Sequence, residues 1–232
     1  MGNVINASVP VVLTMTTVPW RINHTLKIVK EILSGLTGYT YLVINIPKIY
    51  RLGWEIDETV VSKFPKDPRL IVNRTEDYGP ATKFIPTLDL YPPDKKAILI
   101  IMDDSEYHLN MIKKIVETQD NNRESVHTYY TYSYNGITIP QGVDLISFWW
   151  PMLDGLKNYW HEMSSNESCW RVDDLVLGGY LRDKGIPIKA LSRDGLKWVW
   201  KPIPPNLEGK TLFGSQGGES RESSMAMCVK NM

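Results

Sequence analysis

Four short runs rich in aliphatic and β-branched residues punctuate the first half of the chain, at residues 10–15, 40–46, 69–73 and 97–102. Between them, apolar positions recur at helical spacing instead of strand spacing. That alternation predicts an α/β fold with a mostly parallel central sheet flanked by helices. The clearest helix covers about Ile22 to Leu36, where Leu26, Ile28, Val29, Ile32 and Leu33 make one apolar stripe and Gly35 supplies a stop. Further helices are expected at 106–119, 151–163 and 173–184.

The pattern changes near residue 126. Val126 to Tyr134 is β-branched and aromatic, Asn135-Gly136 is a strong hairpin turn, and Ile137 to Ile139 follows, so this smaller part is expected to be antiparallel. Gly214 to Ser224 is rich in glycine, serine and glutamate and reads as a flexible tail or linker. A single domain over 1–213 followed by a tail over 214–232 is the expected organisation.

Composition narrows the function classes. A chain of 232 residues is long enough for one sizeable core. No apolar run approaches the roughly 18–20 residues of a membrane span. Lysine plus arginine and aspartate plus glutamate both number 26, so the overall field attracts neither nucleic acid nor anionic lipid, and any phosphate recognition must be local. Cys169 and Cys228 are too few for a disulfide framework and are expected as free thiols in a reducing compartment. Residues 1–10 lack the basic region and apolar stretch of a secretion signal, and Asn6 stands where a myristoylation site needs Ser or Thr. A cytoplasmic location is therefore expected. The sequons at Asn6, Asn23, Asn73 and Asn166 carry no weight without entry into a secretory lumen.

Three acidic or cationic constellations carry candidate chemistry. The run from Ala97 to Met102 is a buried parallel-type strand that ends in Asp103-Asp104. Ligands of open α/β sheets bind beyond the carboxyl ends of strands, and a hard divalent cation relieves the repulsion between adjacent acids while bridging phosphates. The alternative is that the pair caps the helix expected from residue 106. The second is Asp77-Tyr78-Gly79-Pro80-Ala81-Thr82-Lys83, where a lysine one turn into a helix can neutralise a diphosphate or can be an ordinary surface lysine. The third is Asp173-Asp174, which opens the helix expected at 173–184. A carboxylate at a helix N-terminus suits a general base, and capping explains one of the two.

Thr16-Thr17-Val18-Pro19-Trp20-Arg21, the Asp77-to-Lys83 turn, Met102-Asp103-Asp104 and Cys169-Trp170-Arg171-Val172-Asp173-Asp174 come in an order that resembles the GT-A glycosyltransferases. More narrowly, the set resembles the small glycosyltransferase domain of chlorella-type algal viruses that is implicated in capsid glycans. The resemblance spans residues 10–191. It implies a nucleotide-binding half near 10–105, an acceptor half near 106–213, a nucleotide-sugar donor such as a UDP-sugar, manganese or magnesium at an Asp-x-Asp-type motif, and a glycan or glycoprotein acceptor.

Under that resemblance Thr16, Thr17 and Arg21 line the nucleotide pocket, Asp77 accepts an N–H from the base, and Lys83 faces the diphosphate. Asp104 becomes the metal ligand, because Met102 replaces the first of three acids often seen there, and Asp103 turns to ribose or donor sugar. Asp174, with Asp173 beside it, becomes the base of an inverting transfer. Trp149 and Trp150 are acceptor candidates through aromatic stacking on sugars, with core packing as the alternative. The four histidines show no ligand spacing. A catalytically silent glycan-binding module is the competing class. A sugar nucleotidyltransferase is a weaker rival, because Thr16 to Arg21 contains no glycine for a phosphate loop.

Overall fold

The computed structural model describes residues 3–51, 53–90, 96–201, 220–230 and 232. The first elements are β1 (Asn3–Val4), β2 (Val11–Thr16), α1 (Ile22–Gly35), β3 (Leu36–Thr37), β4 (Tyr41–Pro47), α2 (Glu58–Val61), β5 (Leu70–Thr75), α3 (Thr87–Leu90) and β6 (Ile98–Ile101). There follow α4 (Leu109–Asn121), β7 (Val126–Thr128), β8 (Thr131–Tyr134), β9 (Ile137–Pro140) and β10 (Ile146–Trp149). The remainder comprises α5 (Leu156–Ser164), α6 (Glu167–Trp170), α7 (Asp173–Asp183), β11 (Ile188–Ala190) and α8 (Arg221–Val229).

Seven strands form the central sheet in the order β11-β7-β10-β6-β2-β4-β5. Strands β6, β2, β4 and β5 are parallel, and β10 runs antiparallel to both its neighbours. The central strands are buried on both faces, which is why they read as continuous apolar runs. Leu13, Met15, Ile98 and Ile100 pack with Ile28, Val29 and Ile32 of α1 and Ile112 and Ile115 of α4. Val12, Leu99 and Ile101 face the other way, toward Trp160 of α5 and Val176 and Leu177 of α7. The β8–β9 hairpin forms about Asn135-Gly136 as a separate two-stranded sheet, both turn residues having positive φ.

The order of strands fixes where a ligand belongs. From β2 the chain moves outward through β4 and β5, then returns to place β6 on the other side of β2. The crevice beyond the C-terminal ends of β2 and β6 is therefore the switch point of the sheet.

Three expectations change. Helix α4 starts at Leu109 with His108 as its cap, and Tyr107 is held extended by a bridge to Trp200, so Asp103 and Asp104 do not cap a helix. Cys169 and Cys228 form a disulfide between α6 and α8, so they are not free thiols, and the expectation of a reducing compartment loses its basis. The expected tail is not loose at its end: Ser220 caps α8 by accepting from Ser223 N, and Ser224, Met225 and Cys228 are buried. Residues 214–219 lie outside the described residues. No helix among the described residues is long and apolar enough to cross a membrane.

Candidate active site

The end of β2 and the segment after β6 meet through Thr17 and Asp104. Thr17 Oγ1 donates to Asp104 Oδ2 at 3.1 Å, and Thr25 Oγ1 donates to Thr17 Oγ1 at 2.6 Å. Arg21 Nη1 lies 3.0 Å from Asp104 Oδ1, while Nη2 donates to the Asp104 carbonyl at 2.8 Å. Burial pushes the Asp104 carboxyl up to about 7 against the pull of Arg21, with the Asp103 charge adding to the rise. Both oxygens of Asp104 are thus engaged by protein donors, and it is the inward member of the pair.

Asp103 faces Lys83. The lysine sits at the end of a 3₁₀ turn, Gly79–Lys83, whose last carbonyl accepts from Thr14 Oγ1 at 2.5 Å and Asn45 Nδ2 at 3.3 Å. These buried polar groups of β2 and β4 pin the turn beneath the crevice. Lys83 Nζ then lies 2.8 Å from Asp103 Oδ1, 2.9 Å from Asp173 Oδ2 and 3.8 Å from Asp174 Oδ1. Burial alone would lower its pKa, but Asp103, Asp173 and Asp174 together raise it well above the ordinary lysine value. Lys83 is a buried counter-ion, not a surface lysine.

Two glycines permit this approach. A Cβ on Gly142 would meet Lys83 Nζ at 2.6 Å and Asp103 Oδ1 at 3.0 Å. Gly79 has φ of 61° and sits against Trp170, whose ring would lie 2.8 Å from an added Cβ.

Asp173 and Asp174 open α7, as expected. Asp174 Oδ1 accepts from Gly142 N at 3.2 Å, and Oδ2 accepts from Arg221 Nη2 at 3.3 Å. Burial, then the Asp173 charge, push Asp174 up to about 7, while Lys83 and Arg221 oppose the rise. Arg221 is the residue that sequence reading missed. It comes from α8, which the Cys169–Cys228 bond ties to α6, and the paired cysteines together with the Ser220 cap were the available signals.

Thr16, Thr17, Arg21, Asp77, Lys83, Asp103, Asp104, Asp173 and Asp174 all line one cleft, with Arg221 at its edge. Tyr50, Trp54 and Trp170 add aromatic walls. Asp77 is mainly a loop organiser: Oδ2 accepts from Arg51 N and Oδ1 from Gly79 N, each at 2.8 Å. Trp149 and Trp150 are not brought to the cleft. Trp150 is buried among the apolar residues under α5 and α7, and Trp149 lies beneath the Arg123 guanidinium at 4.3 Å. Packing accounts for both: Trp150, just after β10, is buried, and Trp149, the last residue of β10, packs partly buried against the core on the opposite face.

Among the described residues, no three His, Cys, Asp or Glu side chains are arranged to hold a metal ion. A preformed cage therefore does not fit this site. The Asp103 side chain is 35% exposed, pairs with Lys83 through Oδ1 and lines the cleft. One carboxylate completed by substrate phosphates and water fits it, the usual manner for magnesium-like ions.

The sequence matches no protein-family model, and no curated protein matches it. Several solved structures are similar to it in fold to differing degrees. A 4-diphosphocytidyl-2C-methyl-D-erythritol synthase from Anaerococcus prevotii superposes with a TM-score of 0.53 at 10% identity, over 82% of this chain and 90% of that one. A 2-C-methyl-D-erythritol 4-phosphate cytidylyltransferase from Francisella tularensis gives 0.46 at 11% identity, over 81% of this chain and 93% of that one. A mannosyltransferase from Pyrobaculum calidifontis, in complex with GDP-Man and Mn2+, gives 0.46 at 13% identity, over 82% of this chain and 61% of that one. The chain thus has a mixed α/β fold, a mostly parallel sheet flanked by helices, that it shares with the Anaerococcus prevotii enzyme.

Proposed function

We propose that this chain is an inverting glycosyltransferase that moves a sugar from a nucleoside-diphosphate donor, such as a UDP-sugar, to a hydroxyl of a glycan or glycoprotein. The observation that carries the reading is the cluster at the switch point of the sheet. Asp103, Asp104, Asp173 and Asp174 converge there with Arg21, Lys83 and Arg221. A purely structural ion network has no need to sit open to a cleft walled by Tyr50, Trp54 and Trp170.

In this reading the nucleoside lies along Thr16, Thr17, Tyr50 and Trp54, and the diphosphate lies over Lys83 and Arg221. Asp103 would hold a divalent cation that arrives with the diphosphate, and such an ion supplies charge neutralisation at the leaving group. Asp174 takes the proton from the acceptor hydroxyl. That oxygen forms a bond to the anomeric carbon as the bond from carbon to the diphosphate oxygen breaks, and the diphosphate leaves with the electron pair. Attack opposite the leaving group inverts the anomeric centre. A pKa near 7 suits Asp174 to this work, since a base acts best when its pKa lies close to the working pH.

The nucleotidyltransferase alternative is weaker, because no glycine lies between Thr16 and Arg21 to bring backbone N–H groups against a triphosphate. The resemblance to the algal-virus domain makes capsid glycans the acceptor class to try first. The test is turnover of UDP-glucose, followed as UDP release, in wild type and Asp174→Asn with UDP affinity measured alongside. Lost turnover with UDP affinity retained supports the reading; full turnover in the variant removes Asp174 from the role of base.

A further inference from the structure

Several aromatic side chains lie outside the cleft and have no part in the donor site described above. Tyr130 and Tyr132 stack with ring centroids 6.4 Å apart and an interplanar angle of 28°. The Arg193 guanidinium lies 5.1 Å from the Tyr130 ring and 5.4 Å from the Trp198 ring. Trp198 in turn stacks on Trp200 at 5.3 Å and 20°. The strip is anchored to the cleft at both ends. Arg221 Nη2 donates to Tyr132 Oη at 3.3 Å and also contacts Asp174. At the other end Trp200 bridges to Tyr107, whose hydroxyl accepts from Asp103 N at 3.1 Å.

Exposure sets this strip apart. Among the described Phe, Trp and Tyr residues, the most open to solvent are Tyr130 at 39% and Trp198 at 38%, and both belong to it. Leaving large rings in water is unfavourable unless something covers them. Flat rings separated by guanidinium and ammonium groups, here Arg193 and Lys197, match a sugar ring, which has an apolar C–H face and a rim of hydroxyls. The contacts run on from Tyr132 through Tyr130, Arg193 and Trp198 to Trp200, so the strip offers more than one ring to a ligand.

We infer that Tyr132, Tyr130, Arg193 and Trp198 form the acceptor platform of this protein, and that its acceptor is an oligosaccharide whose terminal hydroxyl reaches Asp174 while the preceding sugars stack along the strip. This rests on the transferase reading and deepens it, replacing Trp149 and Trp150 as the acceptor contacts.

The test is a printed array of defined mono- and oligosaccharides probed with the 232-residue chain, its Trp198→Ala, Trp198→Phe and Tyr130→Ala variants, and calorimetry of UDP on each. Wild type is expected to bind a subset of the oligosaccharides and none of the monosaccharides. Trp198→Ala and Tyr130→Ala should each weaken that binding about tenfold, as loss of one aromatic contact does, while Trp198→Phe retains it. UDP affinity should be the same in all four, which also shows that the variants fold. Oligosaccharide binding absent from wild type, or unchanged in both alanine variants, overturns the platform. A wild-type dimer in sedimentation that Trp198→Ala dissociates also overturns it, because a second copy then covers the strip. If UDP also fails to bind wild type, the transferase reading falls with it; if UDP binds and glycans do not, only the platform falls.

Discussion

Arg221 Nη2 lies 3.3 Å from Asp174 Oδ2, so a residue on the last helix of the chain neutralises a carboxylate at the start of α7. That pairing depends on α8 staying where the Cys169–Cys228 bond ties it to α6. The fold therefore closes its candidate site with a covalent tether from far along the chain.

Cutting the tether is expected to cost both stability and affinity. The bond joins positions 59 residues apart, and a loop of that length corresponds to about 4 kcal/mol. Cys228→Ser should lower the melting temperature by about 10 °C. UDP binding should weaken about tenfold as Arg221 loses its anchor, the size expected for one lost charged contact. Melting curves with and without reductant check this, and identical curves for the oxidised and reduced wild type contradict it.

Lys83→Met should be among the most damaging single changes. It leaves Asp103, Asp173 and Asp174 facing one another without their shared cation. Removing one partner of a buried ion cluster costs about 3–5 kcal/mol, which urea denaturation will register. A loss below about 1 kcal/mol, the scale of an exposed pair, would show that the lysine is solvated.

Gly142→Ala separates geometry from stability. The added methyl would meet Lys83 Nζ at 2.6 Å and Asp103 Oδ1 at 3.0 Å, so the paired charges must shift together. The variant should keep its fold by circular dichroism and lose turnover of UDP-glucose by about tenfold or more, because misplacing a charge within a preorganised site raises the barrier. Wild-type turnover would show that the Lys83 position is not critical.

Asp174 sets the expected pH dependence. Its carboxyl is raised by burial and by Asp173 from 3.8 to about 7, so the folded protein holds a proton that the unfolded chain releases. The stability contribution of this group is fully present below the unfolded value and is lost as pH rises through the folded value. Asp174→Asn should therefore flatten the fall in stability between these limits. Turnover should move the other way, rising as pH passes about 7 and the base ionises. A pH-independent rate from acid to neutral conditions contradicts the assignment.

Much of the parallel part of the sheet was legible because its signals are local. The runs at β2, β4, β5 and β6 are buried on both faces, and helix α1 has a single apolar stripe with a glycine stop. Thr16, Thr17, Arg21, Asp77, Lys83, Asp103, Asp104, Asp173 and Asp174 were all singled out, and the structure gathers them in one cleft. What pattern alone does not contain is orientation. Successive residues after a strand point in opposite directions, so Asp104 turns inward to Thr17 and Arg21 while Asp103 meets Lys83. Arg221 and the Cys169–Cys228 pairing depend on contacts between segments far apart in sequence, where low-complexity composition reads as a tail. A tryptophan pair looks the same in a core and on a sugar platform, so pattern leaves both readings of Trp149 and Trp150 open, and only their packing separates them.

The most direct measurement of the central claim is calorimetry of UDP and GDP, with and without manganese, on wild type and Asp103→Ala. At least one nucleotide is expected to bind wild type, more tightly with manganese, and Asp103→Ala is expected to lose the manganese enhancement while keeping the metal-free affinity. Failure of both nucleotides to bind wild type, in the presence and absence of manganese, would contradict it.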